Sequence, residues 1–178
     1  MSFLKLAQKR QSCRKYADIP VPTEALERCL EAARLSPSAC NSQPWRFIVV
    51  SDLELKNKLA ENAFSGMHAM NSFARKAPVL VVVVTERSKY AAQLAGSFKG
   101  IQYSLIDIGI AGEHFCLQAT EEGLGTCWLG WFDQNKVRKV LGFSRKDKID
   151  IIISVGYPES KELREKNRKN RYEIFRFR

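Results

Sequence analysis

Hydrophobic and polar positions divide the chain into alternating helical and extended stretches. Residues 2–9 read as a short helix, and "RQSCRKYADIPVP", with paired prolines at its end, reads as extended chain. "TEALERCLEAARL" predicts a helix capped by Thr23 and running to about Leu35. Glu24 falls in its first turn, where a carboxylate favours the positive end of the helix dipole. Trp45–Ser51 reads as a strand, and "DLELKNKLAENAF" as a helix opened by Asp52. A loop holding Gly66 and a short helix near 71–76 precede a strand over 78–85. Residues 86–99 are ambiguous between loop and helix start. The longest apolar helix spans 100–122, where Ile101, Leu105, Ile108, Gly109, Gly112, Phe115, Cys116 and Ala119 keep the helical period. Gly109 and Gly112 predict close approach by another helix or by a cofactor, and Gly123 is placed to end the helix. "TCWLGWF" reads as a strand, "DQNKVRKVL" as a helix capped by Asp133, and "KIDIIISVGY" as a strand ahead of Pro158. The pattern predicts one α+β domain over residues 1–178, with four strands before the tail. Doubly wound βαβ regularity is missing.

Composition narrows the class. A chain of 178 residues with 45% apolar content has enough material for one sizeable core. The longest apolar run, "APVLVVVV" (77–84), is too short to span a bilayer and suits a buried strand. "MSFLKLAQKRQSCRK" holds no signal-peptide core, so a cytosolic protein without membrane attachment is expected. The five cysteines lie far apart, and with two histidines they offer no zinc spacing; no metal is expected. They read as free thiols in a reducing compartment, Cys40 and Cys127 standing out because both fall inside motifs. The formal charge is +10, and residues 161–178, "KELREKNRKNRYEIFRFR", supply half of the excess with eight Lys/Arg against three Glu. A nucleic-acid face or a site for a phosphorylated cofactor would explain it. Few tail aromatics, no RNP-like or zinc motif and scattered basic residues elsewhere argue against nucleic acid. The alternating "YEIFRFR" has a strand period.

Three stretches carry candidate chemistry. "GLGTCWLG" (123–130) is not a dinucleotide fingerprint, because it follows a helix and opens a strand rather than the reverse. In "RQSCRK", residues two apart share a face of extended chain, so Arg10, Ser12 and Arg14 would line up as a cradle for a phosphate and a polar ring. In a helix Ser12 would face away, leaving a solvated basic turn. "SPSACNSQPW" places small residues and short polar groups where backbone N–H groups could approach a flat ligand; an ordinary polar loop has the same composition.

Together, "RQSCRKY…IP", "LSPSACNSQPWRFIVV", "KAPVLVVVV", "EEGLGTCWLGWF" and the basic tail resemble the FMN-dependent nitroreductase family along essentially the whole chain. The resemblance implies a central, mainly antiparallel sheet flanked by helices, in an intertwined homodimer whose C-terminal strand is added to the partner. It implies FMN at the dimer interface and NAD(P)H as reductant, with nitroaromatics, quinones or similar acceptors reduced in alternating hydride half-reactions. By match to the family's motifs, Arg10, Gln11, Ser12 and Arg14 form the N-terminal flavin motif, with Arg10 and Ser12 near the phosphate or polar chain and Arg14 near the pyrimidine edge. Pro37, Ser38, Ala39 and Asn41 match the segment that crosses from the partner subunit. Trp128, Leu129 and Gly130 match the backbone that runs past the isoalloxazine, and Asn71 an asparagine that some relatives aim at the ring. Arg168 and Lys169 match a basic pair at the phosphate. No side-chain acid or base is implied, so no catalytic residue is assigned. The chain is shorter than many relatives, with little room between Val84 and Gly100 for inserted pocket helices, and Arg14 stands where some carry Lys. Ene-reduction, dehalogenation, consumption of the flavin itself and non-catalytic flavin binding remain open.

Overall fold

A computed structural model describes residues 2–86 and 100–178; of the ambiguous stretch 86–99, all but Glu86 lies outside them. Its elements are α1 (Phe3–Lys9), α2 (Thr23–Arg34), β1 (Trp45–Val50), α3 (Leu53–Ala63), β2 (Val79–Thr85), α4 (Tyr103–Glu121), β3 (Gly125–Leu129), α5 (Gln134–Leu141), β4 (Lys148–Gly156) and α6 (Arg171–Ile174). Two 3-10 segments, Ala39–Asn41 and Gly66–Lys76, lie between them. The four strands form one sheet in the order β1-β2-β4-β3, every pair antiparallel.

β2 lies between β1 and β4, and its six valine and leucine side chains are buried on both faces. That explains an unbroken apolar run in an antiparallel sheet, where alternation is the commoner pattern. Leu80, Val82 and Val84 join Leu59, Phe64, Val137 and Ile152 in a core under α3 and α5. Val79, Val81 and Val83 face the other way, onto Leu26, Ile108, Phe115 and Cys116 of α2 and α4.

The local signals hold at several ends. Asp52 and Asp133 accept the amide hydrogens of Leu55 and Lys136, capping α3 and α5. Gly123 follows α4 with φ +78°, and Leu124 N donates back to Ala119 O at 2.8 Å. Elsewhere the structure differs. Thr23 is the first helical residue of α2 rather than its cap; Pro22 holds that position and no side chain caps the helix. Ile101 precedes α4, and it and Leu105 are exposed rather than continuing the buried stripe. Gly112 is approached by an indole rather than by another helix: a Cβ there would lie 2.3 Å from Cη2 of Trp128. The tail forms no strand in the protomer. Arg171–Ile174 is a single helical turn, because Asn170 and Glu173 close a reciprocal capping box.

Candidate functional site

The segment after α1 runs extended along the free edge of β3. Ser12 bridges to Thr126, and Cys13 N donates to Thr126 O at 2.8 Å. The buried Tyr16 locks the segment to β4: its hydroxyl donates to Cys13 O at 2.9 Å and lies 2.7 Å from Ser154 Oγ. Burial pushes this phenol well above its ordinary range, so it stays a neutral donor. Gly125 permits the approach, since a Cβ there would sit 2.6 Å from Cys13 Cβ. Arg10, Ser12 and Arg14 all act on the one thiol of Cys127, through charge for the arginines and a hydrogen bond for Ser12. All three therefore lie near that thiol, forming an arginine flank beside β3. Burial outweighs them and raises the Cys127 thiol. Cys29 and Cys116 are raised to about 12, chiefly by burial, which leaves them structural. Gln11 points elsewhere, donating to Glu162 O at 2.9 Å and accepting from Arg164 N at 3.1 Å.

The tail returns over this segment. Lys166 Nζ donates to Ala7 O and Arg10 O, both at 2.7 Å, satisfying carbonyls at the C-terminal end of α1. Arg10 and Arg168 lie near enough to push the Lys166 ammonium down, after desolvation as the larger cause. Glu113 of α4 pairs with Arg10, Oε1 to Nε at 3.3 Å. Among the described residues, three cations thus stand against one paired carboxylate. Arg168 is exposed and donates to the neighbouring Asn167 O at 2.8 Å. Lys169 is exposed and, among the described residues, joined to none of these groups by hydrogen bond or ion pair. Lys166 and Arg168 are thus the tail cations that act on one another beside Arg10, while Arg164 donates to Ser12 O and Gln11 Oε1. Sequence reading missed Lys166, although residues two apart in extended chain share a face and adjacent ones do not.

At the other end of the flank, Leu129 is buried and Gly130 exposed. Asn71 Nδ2 donates to Trp131 O at 2.9 Å, and Trp131 Nε1 to Met67 O at 3.0 Å, so the residue just past Gly130 is tied through backbone and side chain to the 3-10 segment Gly66–Lys76. The Arg14 guanidinium lies 6.0 Å from the ring centre of Phe73, two residues along from Asn71. The half-buried Trp128 packs its indole on Gly112.

The segment 37–41 is built separately. Ser36 Oγ lies 2.5 Å from His114 Nδ1, and Ala39 N donates to Asp107 Oδ1 at 3.0 Å, two anchors seven residues apart on one face of α4. Ser38 Oγ accepts from Gln43 N at 2.9 Å, and Asn41 Oδ1 from Gln43 Nε2 at 3.0 Å. Cys40, Asn41 and Gln43 have φ of 52°, 49° and 48°, a left-handed run that leaves Pro37, Cys40 and Asn41 exposed. Among the described residues no hydrogen bond or ion pair joins 37–41 to the arginine flank. A cavity of about 680 Å³ lies beside that flank under the tail, lined by Gln11, Cys13, Lys15, Gly125 and Glu162 among others. Ser12 and Arg14 line it too, so it takes in Gln11, Ser12 and Arg14 of the predicted set but reaches neither Trp128–Gly130 nor 37–41.

The Nitroreductase family profile matches over residues 7–70 and 67–157. The oxygen-insensitive NADPH nitroreductase of Helicobacter acinonychis (strain Sheeba) is 30% identical, over 93% of this chain and 91% of its own. A nitroreductase family protein of Clostridium difficile 630 superposes with a TM-score of 0.78 at 34% identity, covering 99% of this chain and 98% of that one. An FMN-dependent nitroreductase of Clostridium difficile R20291 does so with a TM-score of 0.75 at 29% identity, over 98% of both. In fold, in motif order and along nearly its full length, the chain belongs to the nitroreductase family.

Proposed function

We propose that this chain is an FMN-dependent oxidoreductase that uses NAD(P)H to reduce nitroaromatics, quinones or similar small acceptors, and that it works as a homodimer. The observation that carries the reading is the gathering of Arg10, Lys166 and Arg168, with Glu113 the one carboxylate paired with any of them among the described residues. Lys166 is held by backbone contacts beside Arg10, where like charges repel, and a phosphate carrying close to two negative charges relieves that repulsion. The residues present fit FMN. Arg10, Ser12, Lys166 and Arg168 would hold its phosphate end, and Arg14, Asn71 and the backbone of Trp128–Gly130 its ring. Bound there, FMN supplies two-electron chemistry between NAD(P)H and the acceptor.

The chain's own residues do the rest. Arg14 keeps a fixed positive charge at the ring end, where negative charge would be stabilised. Asn71 and Met67 hold the chain after Gly130 so that its backbone stays in one place. The reading assigns no side chain as acid or base.

Two observations support the dimer. The segment 37–41 is braced for presentation but unattached to its own arginine flank. Phe3, Leu4, Ile106, Tyr172, Ile174 and Phe177 are each at least half exposed, apolar side chains that a second copy would cover. Five free cysteines, four of them buried, fit a reducing, cytoplasmic setting. No helix among the described residues is long and apolar enough to cross a membrane.

The test is the visible spectrum of the purified protein, identification of any chromophore released on denaturation, and turnover with NADH and NADPH across an acceptor panel. About one FMN per chain and acceptor-dependent oxidation of the nicotinamide are expected. A colourless protein that refuses added FMN would overturn the reading.

A further inference from the structure

We infer that Glu113 is a positioning residue that aims Arg10 at the cofactor phosphate, an inference resting on the flavin reading above. The contact is one-pointed: Oε1 of Glu113 meets Nε of Arg10 at 3.3 Å. Nε is on the edge of the guanidinium nearest its own backbone. The two terminal nitrogens have no hydrogen-bond or ion-pair partner among the described residues, so the fork suited to bidentate phosphate binding stays open. The backbone of Arg10 is fixed as well, because its carbonyl accepts from Lys166 Nζ. With the main chain held at one end and Nε at the other, little freedom remains in a side chain that otherwise has several rotatable bonds. The Arg10 side chain is only 20% exposed and that of Glu113 44%, so the pair sits at the edge of the fold rather than loose in solvent. Burial pushes the Glu113 carboxyl up, while Arg10, Lys166 and His114 pull it down.

Charge counting alone gives the opposite expectation. A carboxylate beside a phosphate repels it, so removing Glu113 should tighten FMN binding. The two effects therefore differ in sign and can be separated. The repulsion is screened at a half-exposed site, whereas freeing Arg10 restores rotamer entropy that binding must then remove.

The experiment measures FMN dissociation constants by flavin fluorescence quenching on apoprotein. It uses wild type, Glu113→Ala, Glu113→Gln, Arg10→Ala and the Arg10→Ala/Glu113→Ala double variant, with riboflavin as the phosphate-free control. Glu113→Ala is expected to weaken FMN binding roughly three- to tenfold. Glu113→Gln, which keeps an oxygen for Nε and loses the charge, is expected to bind as well as wild type or better. In the Arg10→Ala background, removing Glu113 should leave FMN binding unchanged or tighter, since only the repulsion remains. Riboflavin affinity should not respond. Glu113 lies on a helix surface, where alanine favours the fold. Equal or tighter FMN binding by Glu113→Ala with Arg10 present, or the same loss with Arg10 absent, overturns the inference while leaving the flavin site standing. A wild type that binds FMN no better than riboflavin removes the phosphate site and this inference with it.

Discussion

Replacing Gly112 by alanine sets two opposed effects against each other in one methyl group. Gly112 is buried in α4, and a Cβ built there would lie 2.3 Å from Trp128 Cη2, 2.6 Å from Cζ2 and 3.3 Å from Cζ3. Carbon atoms pack at about 3.5–4.0 Å, so the indole must retreat by more than about 1 Å. Overpacking of this kind costs about 1–3 kcal/mol. Alanine in place of glycine inside a helix returns about 1 kcal/mol. The balance is a loss of about 1 kcal/mol, or about 2–4 °C in Tm for a domain of this size. Thermal melts of apoprotein at fixed protein concentration read it directly. The decisive control is the same substitution with Trp128→Leu. With the ring gone the clash is gone, and Gly112→Ala should now raise Tm by a similar amount. A Gly112→Ala protein that melts higher than wild type, or a substitution whose effect keeps its sign when Trp128 is removed, would refute the packing argument. The displaced indole adjoins Leu129 and Gly130, so flavin content should fall in parallel with Tm.

Arg10→Ala combined with Arg168→Ala should weaken FMN binding by more than about a hundredfold, since hydrogen bonds to charged groups are worth about 1.5–3 kcal/mol each; circular dichroism should stay near wild type, and full flavin retention would refute the phosphate assignment. Removing residues 172–178 takes away Tyr172, Ile174, Phe175 and Phe177, all exposed in the protomer, and should loosen the dimer; an unchanged sedimentation profile would argue against a tail that embraces a second copy. Glu122 accepts from Arg28 at 2.7 and 2.6 Å and from Gln118 at 2.8 Å, chiefly the Arg28 bonds lowering its carboxyl from 4.5 to about 2. Because the folded value is the depressed one, the pair's stabilisation is complete above about pH 4.5, declines as pH falls and is absent below about pH 2. The Tm gap between wild type and Glu122→Gln should follow that course, and a gap constant from pH 6 to pH 2 would exclude the ion pair as its source.

What could be read from the chain alone was what depends on neighbours in sequence. Asp52 and Asp133 announced their helices because a short carboxylate reaches an amide three residues on, whatever the tertiary fold. β2 was legible because a strand covered on both faces needs no polar side. The tail shows two local signals in competition. Alternation in "YEIFRFR" suggested a strand, yet the Asn170–Glu173 box, also visible in sequence, sets a helical turn in the protomer. What could not be read was which surface meets which. The period of α4 identified a stripe but not its covering, and Ile101 and Leu105 proved exposed. Gly112 signalled close approach without naming Trp128. Lys166 gains its place only when the tail folds back over Ala7 and Arg10, more than 150 residues away in sequence.

The candidate site takes its geometry largely from α4. Asp107 and His114 brace the segment 36–39, Gly112 seats Trp128, and Glu113 meets Arg10. These four positions reach three different neighbours only because Ile108, Ala111, Phe115, Cys116 and Ala119 fix the rotation of the helix against α2 and the sheet. Successive helical residues are separated by about 100°. Gly112 therefore turns inward to the indole while Glu113 turns out to the guanidinium, and a seven-residue step returns His114 to the face of Asp107. The consequence is a division of labour between core and flank. A change in the apolar stripe alters every one of these contacts together, whereas a change at Glu113 or His114 alters one. The flank that carries Glu113 also carries the exposed Ile106, seven residues back. In the proposed dimer the second copy supplies the braced segment 37–41 to the arginine flank, and cofactor retention and assembly are therefore expected to fail together.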